Sequence, residues 1–213
     1  NQLEVPNAAA RTLAHTLSTI KDPAIPISLT RDDVNGMLRQ VLLKNPSFLG
    51  TYTLWEPNAF DGLDSQYVRA VAHDSTGRFI PYWIRDSDGI IHTEALYQYE
   101  MPGEGDWYIL PRSTRKEVVI APVIQRIQDI DVVIASFVVP ITYNDQFYGI
   151  AGVDAPIGFV QQLVDDIDIY DGSTDAVLFT SKGTLIAARK RPELSNQHVS
   201  QIYDDLDIIQ GQF

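Results

Sequence analysis

The sequence VVIASFVVPITYNDQFYGIAGVD, from Val132 to Asp154, holds two apolar runs separated by an Asn-Asp pair. Val132–Tyr143 and Phe147–Val153 are rich in β-branched and aromatic residues, the composition of half-buried strands. Asn144-Asp145 tolerates the left-handed backbone of a two-residue turn, so the runs are predicted to form a hairpin and hence an antiparallel sheet. Asp154 closes the second run. From Pro156 to Ile169 the period changes, and Ile157, Val160, Leu163, Val164 and Ile167 at helical spacing predict an amphipathic helix.

Outward from this hairpin, Glu117–Ile120, Arg78–Arg85 and Leu49–Glu56 have the same strand character. Asp86-Ser87-Asp88-Gly89 is a strong turn. Ile90–Tyr99 reads as a strand or an extended crossing. Pro102-Gly103-Glu104-Gly105 leads into a short helix at Asp106–Arg112. Two helices open the chain. Ala10, Leu13, Leu17 and Ile20 define the first over residues 8–20, stopped by Pro23 and Pro26. Thr30 with Asp32 and Asp33 suits the start of the second, which runs to Lys44 with Val34, Met37, Leu38 and Val41 as its apolar face. Downstream, Tyr170–Asp175 is a polar junction. Ala176–Thr180 and Leu185–Ala188 form a second hairpin across Ser181-Lys182-Gly183, and a helix is predicted from about Asn196 to Tyr203. The order describes an α+β chain in three segments, 1–22, 23–171 and 172–213, the last with too little sheet to stand alone.

The 213 residues are 45% hydrophobic and 21% charged, a composition that excludes a disordered or low-complexity chain. Lys plus Arg number 16 against 28 Asp plus Glu, a formal net charge of −12, so no nucleic-acid partner is expected. The absence of cysteine excludes disulfides and thiolate zinc sites and fits an exported bacterial domain. No apolar stretch has the length to span a bilayer. The sequence starts at Asn1 without an initiator Met or signal peptide, and is read as a piece of something longer.

Catalytic constellations are not found. His15, His73, His92 and His198 are scattered without metal-ligand spacing. Gly103-Glu104-Gly105 is explained by a turn, and Asp165, Asp166, Asp168 and Asp171 by a solvated helix face and a junction. No metal, cofactor or enzymatic activity is expected. Aromatic residues beside acids do stand out: Trp55-Glu56, Tyr82-Trp83, Tyr97, Tyr99-Glu100, Asp106-Trp107-Tyr108, and Asp154 at a strand end. Taken singly, core packing and a helix cap account for each. Together they suggest an aromatic cage with a carboxylate, which holds ammonium groups by cation–π attraction and a charge-assisted contact.

The segments Trp107-Tyr108-x-x-Pro111, Val119-Ile120-Ala121-Pro122, Val138-Val139-Pro140-Ile141 and Phe147-x-Gly149-Ile150-Ala151-Gly152-Val153-Asp154, in this order, resemble the double Cache (dCache) sensor domains. These are extracytoplasmic ligand-binding domains of bacterial methyl-accepting chemotaxis receptors, histidine kinases and related transducers. The resemblance implies a signalling helix at 1–22, a membrane-distal PAS-like ligand-binding module at 23–171, and part of a membrane-proximal module at 172–213. Leu54-Trp55-Glu56-Pro57-Asn58-Ala59-Phe60-Asp61-Gly62-x-Asp64 and Gly77-Arg78-Phe79-Ile80-Pro81-Tyr82-Trp83 resemble a subgroup that includes sensors of amines and quaternary ammonium compounds. Amino-acid sensors of this family carry an Arg two residues before the Trp-Tyr pair, where this chain has Gly105. The family's ammonium-binding Asp corresponds to Asp154, and an Asp before the strand Pro is Ala121 here.

The resemblance thus implies a periplasmic sensor domain of an inner-membrane chemoreceptor, homodimeric in the full-length receptor, that binds a small cationic metabolite and signals across the membrane. Asp154 and Glu56 would supply negative charge, and Trp55, Tyr82, Trp83, Trp107 and Tyr108 would line the cage. The alternatives are the same fold in a histidine kinase, or one binding an amino acid, purine or carboxylate. A ligand-free structural or dimerisation module and an extracellular enzyme are the remaining rivals.

Overall fold

Thr30 opens helix α2 (Arg31–Lys44) with a reciprocal cap: its Oγ1 accepts from the Asp33 backbone N–H at 3.1 Å, and Asp33 Oδ2 accepts from the Thr30 N–H at 2.9 Å. Two otherwise unpaired donors are satisfied this way. The buried stripe is Arg31, Val34, Leu38 and Leu42, one step round from the face the sequence suggested. Helix α1 (Glu4–Ser18) begins before residue 8, because Pro6 lies in its first turn, where a missing N–H breaks no helical hydrogen bond. Ala10, Leu13, Ala14 and Leu17 are its buried stripe.

The computed structural model describes residues 3–127, 130–167, 176–180, 183–189, 191–195 and 197–201, with backbone alone at 121–127, 130–131, 192 and 201. They divide into two compact units, Asn1–Ile120 with Ala135–Pro156, and Ala121–Ile134 with Ile157–Phe213. The polar junction read at Tyr170–Asp175, and with it the boundary between 171 and 172, lies outside the described residues.

Six strands form one antiparallel sheet: β1 (Gly50–Trp55), β2 (Pro81–Arg85), β3 (Ile91–Ala95), β4 (Val118–Ile127), β5 (Ile130–Tyr143) and β6 (Gln146–Pro156). Their order is β3-β2-β1-β6-β5-β4. The predicted hairpin joins β5 to β6, and Asn144 and Asp145 both take positive φ, 48° and 61°, as a twist-matched two-residue turn requires. β2 and β3 meet across Asp86–Gly89, where Asp86 Oδ1 accepts from the N–H groups of Asp88 and Ile90. β1 is central and wholly buried. Its alternation sends Thr51, Thr53 and Trp55 to one face and Tyr52 and Leu54 to the other. The Thr51 hydroxyl bonds Leu38 O at 2.9 Å, which marks the first face as the one covered by α2. On the second face Tyr52, Leu54, Ile80, Tyr108, Val138, Phe147 and Ile150 form a core, lidded by α3 (Asp106–Thr114).

Strand β6 runs to Pro156, and the next helix, α4, spans only Phe159–Asp165 among the described residues. Its first turn follows Gly158, so Asp154 lies inside a strand opposite Gly50 and caps no helix. In the second unit β7 (Val177–Phe179) and β8 (Leu185–Ala188) pair antiparallel with a bulge at Leu178/Phe179. Gln161 on α4 bonds both the N–H and the C=O of Ala188, and Leu185, Ala188 and Leu194 form a small core. Of the helix expected near 196–203, a single turn at Val199–Gln201 is described.

Candidate ligand site

Two strand glycines shape the face of the sheet opposite α2. A Cβ on Gly50 would stand 2.4 Å from the Tyr82 ring, and one on Gly152 would stand 2.2 Å from the Tyr52 ring, both impossible contacts. Without them Tyr82 leans from β2 across β1, and its hydroxyl donates to Asp154 Oδ2 on β6 at 2.8 Å. Tyr52 leans in the same sense from β1 across β6 toward Ser136 on β5. The two rings meet edge to face with centroids 5.7 Å apart, and Trp107 on α3 meets Tyr52 at 5.8 Å. Tyr52 is buried, whereas Tyr82, Trp107 and Asp154 are only partly so. This is an aromatic corner around one carboxylate.

Asp154 Oδ1 is shielded from solvent and has no hydrogen-bond partner among the described residues. The Ser136 hydroxyl lies close enough to favour the carboxylate's charged form, without closing a bond to Oδ1. No Lys, Arg or His forms an ion pair with Asp154 among the described residues. Burial therefore dominates and pushes the Asp154 carboxyl above its ordinary range. Burial, with the Asp154 charge beside them, also pushes the Tyr52 and Tyr82 phenols up, so both remain protonated donors.

The sequence-predicted residues part company here. Tyr82, Trp107 and Asp154 come together, joined by Tyr52 and Ser136, which the sequence reading did not single out. Gly50, two residues before Tyr52 and of the same strand parity, hints at a close approach on that face but does not single out Tyr52. Trp55 lies on the opposite face, fully buried against Phe60 at 5.0 Å, with Lys21 Nζ 5.5 Å above its ring. Trp83 also faces away, since strand neighbours alternate. Its Nε1 donates to Asn35 on α2 at 3.0 Å, and the Arg39 guanidinium lies 6.0 Å from its ring.

Glu56 and Tyr108 belong to an adjoining ionic cluster. The Tyr108 hydroxyl is bonded to Glu56 Oε1 and receives from Arg78 at 2.5 Å. Arg78, 3% exposed, also donates to the Trp55 carbonyl and lies 3.4 Å from Glu56, while Arg112 approaches Glu56 at 3.4 Å from the other side. Burial and the Glu56 hydrogen bond push the Tyr108 phenol up to about 12. The negative charge of Glu56 is thus already matched by two guanidinium groups. Tyr108 has Arg78 and Arg112 over its ring at 5.2 and 5.5 Å. Among the described residues no cation of the chain lies over Tyr52, Tyr82 or Trp107.

At Gly105 a Cβ would stand 2.5 Å from the Tyr99 carbonyl oxygen, so backbone contact, not preference, keeps a side chain from this position. The side chain of Ala121 lies outside the described residues. No cluster of His, Asp and Glu among the described residues could hold a metal ion, and no helix there is long and apolar enough to cross a membrane.

Comparison with known proteins matches residues 34–162, more than half of the chain, to the model of the methyl-accepting chemotaxis protein-like first PDC sensor domain. The methyl-accepting chemotaxis protein TlpQ of Pseudomonas aeruginosa is 26% identical over 174 residues, covering 76% of this chain and 24% of TlpQ. The chain thus spans about a quarter of that curated relative. The extracellular domain of mmHK1S-Z2, described as a histidine kinase, superposes with a TM-score of 0.74 at 30% identity, covering 93% of this chain and 70% of that one. The ligand-binding domain of Mlp24 with asparagine has the same fold, with a TM-score of 0.55 at 22% identity over 99% of this chain and 74% of that one.

Proposed function

This chain belongs to the methyl-accepting chemotaxis protein-like first PDC sensor domain family, and from that membership we propose that it is the periplasmic ligand-binding part of a transmembrane chemoreceptor that senses a small cationic metabolite. The ligand's ammonium group sits against Asp154, among Tyr52, Tyr82 and Trp107. One observation carries the reading: these are aromatic rings around a carboxylate that no cation among the described residues neutralises, whereas Trp55, Trp83, Tyr108 and Glu56 each already face a Lys or Arg. A ligand cation supplies the missing charge and gains cation–π attraction from the rings. Binding favours one arrangement of the sensor, and the shift passes through the membrane to an output domain, in a receptor that works as a homodimer.

The 30% identity to a histidine-kinase extracellular domain supports a second reading, with the same sensor ahead of a kinase. Asparagine in the Mlp24 domain supports an amino-acid ligand, whose ammonium group would use the same aspartate. A thermal-shift screen of the purified chain against amines, quaternary ammonium compounds, amino acids, purines and organic acids tests the ligand class. Ligand at a hundredfold over its Kd adds about 2.7 kcal/mol to stability, a rise of roughly 5–11 °C at this size. Stabilisation by cations is expected. Stabilisation by purines or organic acids alone would overturn the cation chemistry, and no response to any compound would favour a structural module.

A further inference from the structure

The long connection between β1 and β2, residues 56–80, is pinned to the start of α2 by one side chain. The buried Arg31 donates to Asp61 at 2.9 and 2.6 Å, to Asp64 Oδ1 at 2.7 Å and to the Gly77 carbonyl at 2.8 Å. Its guanidinium lies 4.1 Å from the centre of the Tyr67 ring, and His73 stacks on Tyr67 with centroids 4.9 Å apart. Both also reach the Phe79 ring, Arg31 at 5.3 Å and His73 at 5.6 Å. From this arrangement we propose that His73 is a proton-sensing latch, which makes acid a second stimulus of the domain. Protonation of the imidazole releases residues 61–78 from α2. The latch is independent of the ligand class proposed above.

His73 Nδ1 lies 2.6 Å from the Val71 carbonyl, which can only accept, so the proton of the neutral ring is on Nδ1. Nε2 is buried and has no hydrogen-bond partner among the described residues. A second proton would turn Nε2 into a buried donor with nothing to receive it, and would set a cation beside Arg31. The carboxylates that face the ring, Asp61 and Asp64, are engaged already. Arg31 holds both, and the N–H groups of Leu63 and Asn58 donate to them as well. Asp74, next in the chain, accepts instead from Thr76, from the Arg78 N–H and from Tyr99. Burial, with the Arg31 charge, therefore holds the imidazole below its ordinary value of about 6.5.

A histidine that titrates lower in the folded state adds stability above about pH 6.5 and loses it as pH falls from there to the folded value. Within that window each unit of acidification favours release about tenfold. Release severs the contacts by which this connection reaches the ligand face. The Tyr99 hydroxyl donates to Asp74 Oδ2 at 2.7 Å, and Arg78 bonds the hydroxyl of Tyr108 in the core of that face.

Hydrogen exchange of the ligand-free chain tests the latch, read by mass spectrometry on peptides from 61–78 and, as reference, from the β5–β6 hairpin. With rates corrected for intrinsic exchange, opening of 61–78 should rise roughly tenfold from about pH 7.5 to about pH 5, and the reference should not change. His73→Phe keeps a stacking ring that cannot titrate and should open equally at both ends of the range. A melting curve at neutral pH establishes that it is folded, and His73→Gln replaces it if it is not. No rise in the wild-type chain, an equal rise in the hairpin, or a rise that persists in a folded variant overturns the proposal. So does a rise confined to below about pH 5, where carboxylates titrate; that arm needs the wild-type chain alone.

Discussion

At Asp154 two requirements oppose each other: the carboxylate must be charged to attract a cation, yet burial favours its neutral form. An aspartate whose folded-state pKa is raised binds more protons in the native state than in the unfolded one. Its contribution to stability is therefore greatest at low pH and is lost as pH rises through the raised value. Cation affinity runs the other way. Titrations between about pH 8 and about pH 4 should show binding weaken on acidification, with a midpoint above the ordinary carboxylate value of about 3.9. Affinity that is flat across that range would place the binding charge elsewhere. Asp154→Asn should raise the melting temperature of the ligand-free chain at neutral pH, since it removes a buried unpaired charge.

Glu56 behaves differently, because Arg78 and Arg112 already hold it. Glu56→Gln leaves the 3% exposed Arg78 less well matched and should cost about 1–3 kcal/mol of stability. Denaturant unfolding against ligand titration separates the effects, and the expected change in affinity is less than twofold.

Among the elements, the β5–β6 hairpin was the most legible, since its strand composition and Asn-Asp turn are local properties that no distant contact needs to correct. Thr30 and the acids after it announced α2 for the same reason. The faces of β1 and β2 were less plain. Trp55-Glu56 and Tyr82-Trp83 look like paired cage walls in sequence, but neighbours in a strand point to opposite faces, so at most one of each pair can line a given site. Applying that period to both pairs would have dismissed Trp83 in favour of Tyr82. Tyr52 and Ser136 needed the strand order β2-β1-β6-β5, a non-local fact that the sequence does not print.

The glycines are the device that makes these strands a site. Gly152→Ala puts a methyl group where the Tyr52 ring lies and should destabilise the chain by about 1–3 kcal/mol. It should also abolish cation-induced stabilisation. Gly36→Ala on α2, with nothing within 4 Å of the added Cβ, is the control, and should stabilise by about 0.5–1 kcal/mol without touching ligand response. Equal ligand response in both variants would separate the tyrosine corner from binding.

Over the whole chain, the net charge of −12 raises the local concentration of cations and lowers that of anions. Association with a cationic ligand should therefore slow as salt is added, over the range where the Debye length shrinks from about 30 to about 10 Å. A salt-independent rate would mean that the long-range field plays no part in capture. The α+β class and the first sensor module were readable because their patterns repeat across many residues. The boundary read at 171/172 rested on one polar stretch. The central claim turns on a single side chain. Isothermal titration of the wild-type chain and of Asp154→Asn with the most stabilising cation from the thermal screen tests it most directly. A loss of about 1–3 kcal/mol, roughly 5- to 150-fold in Kd, is predicted; undiminished affinity in a folded Asp154→Asn variant would contradict the account.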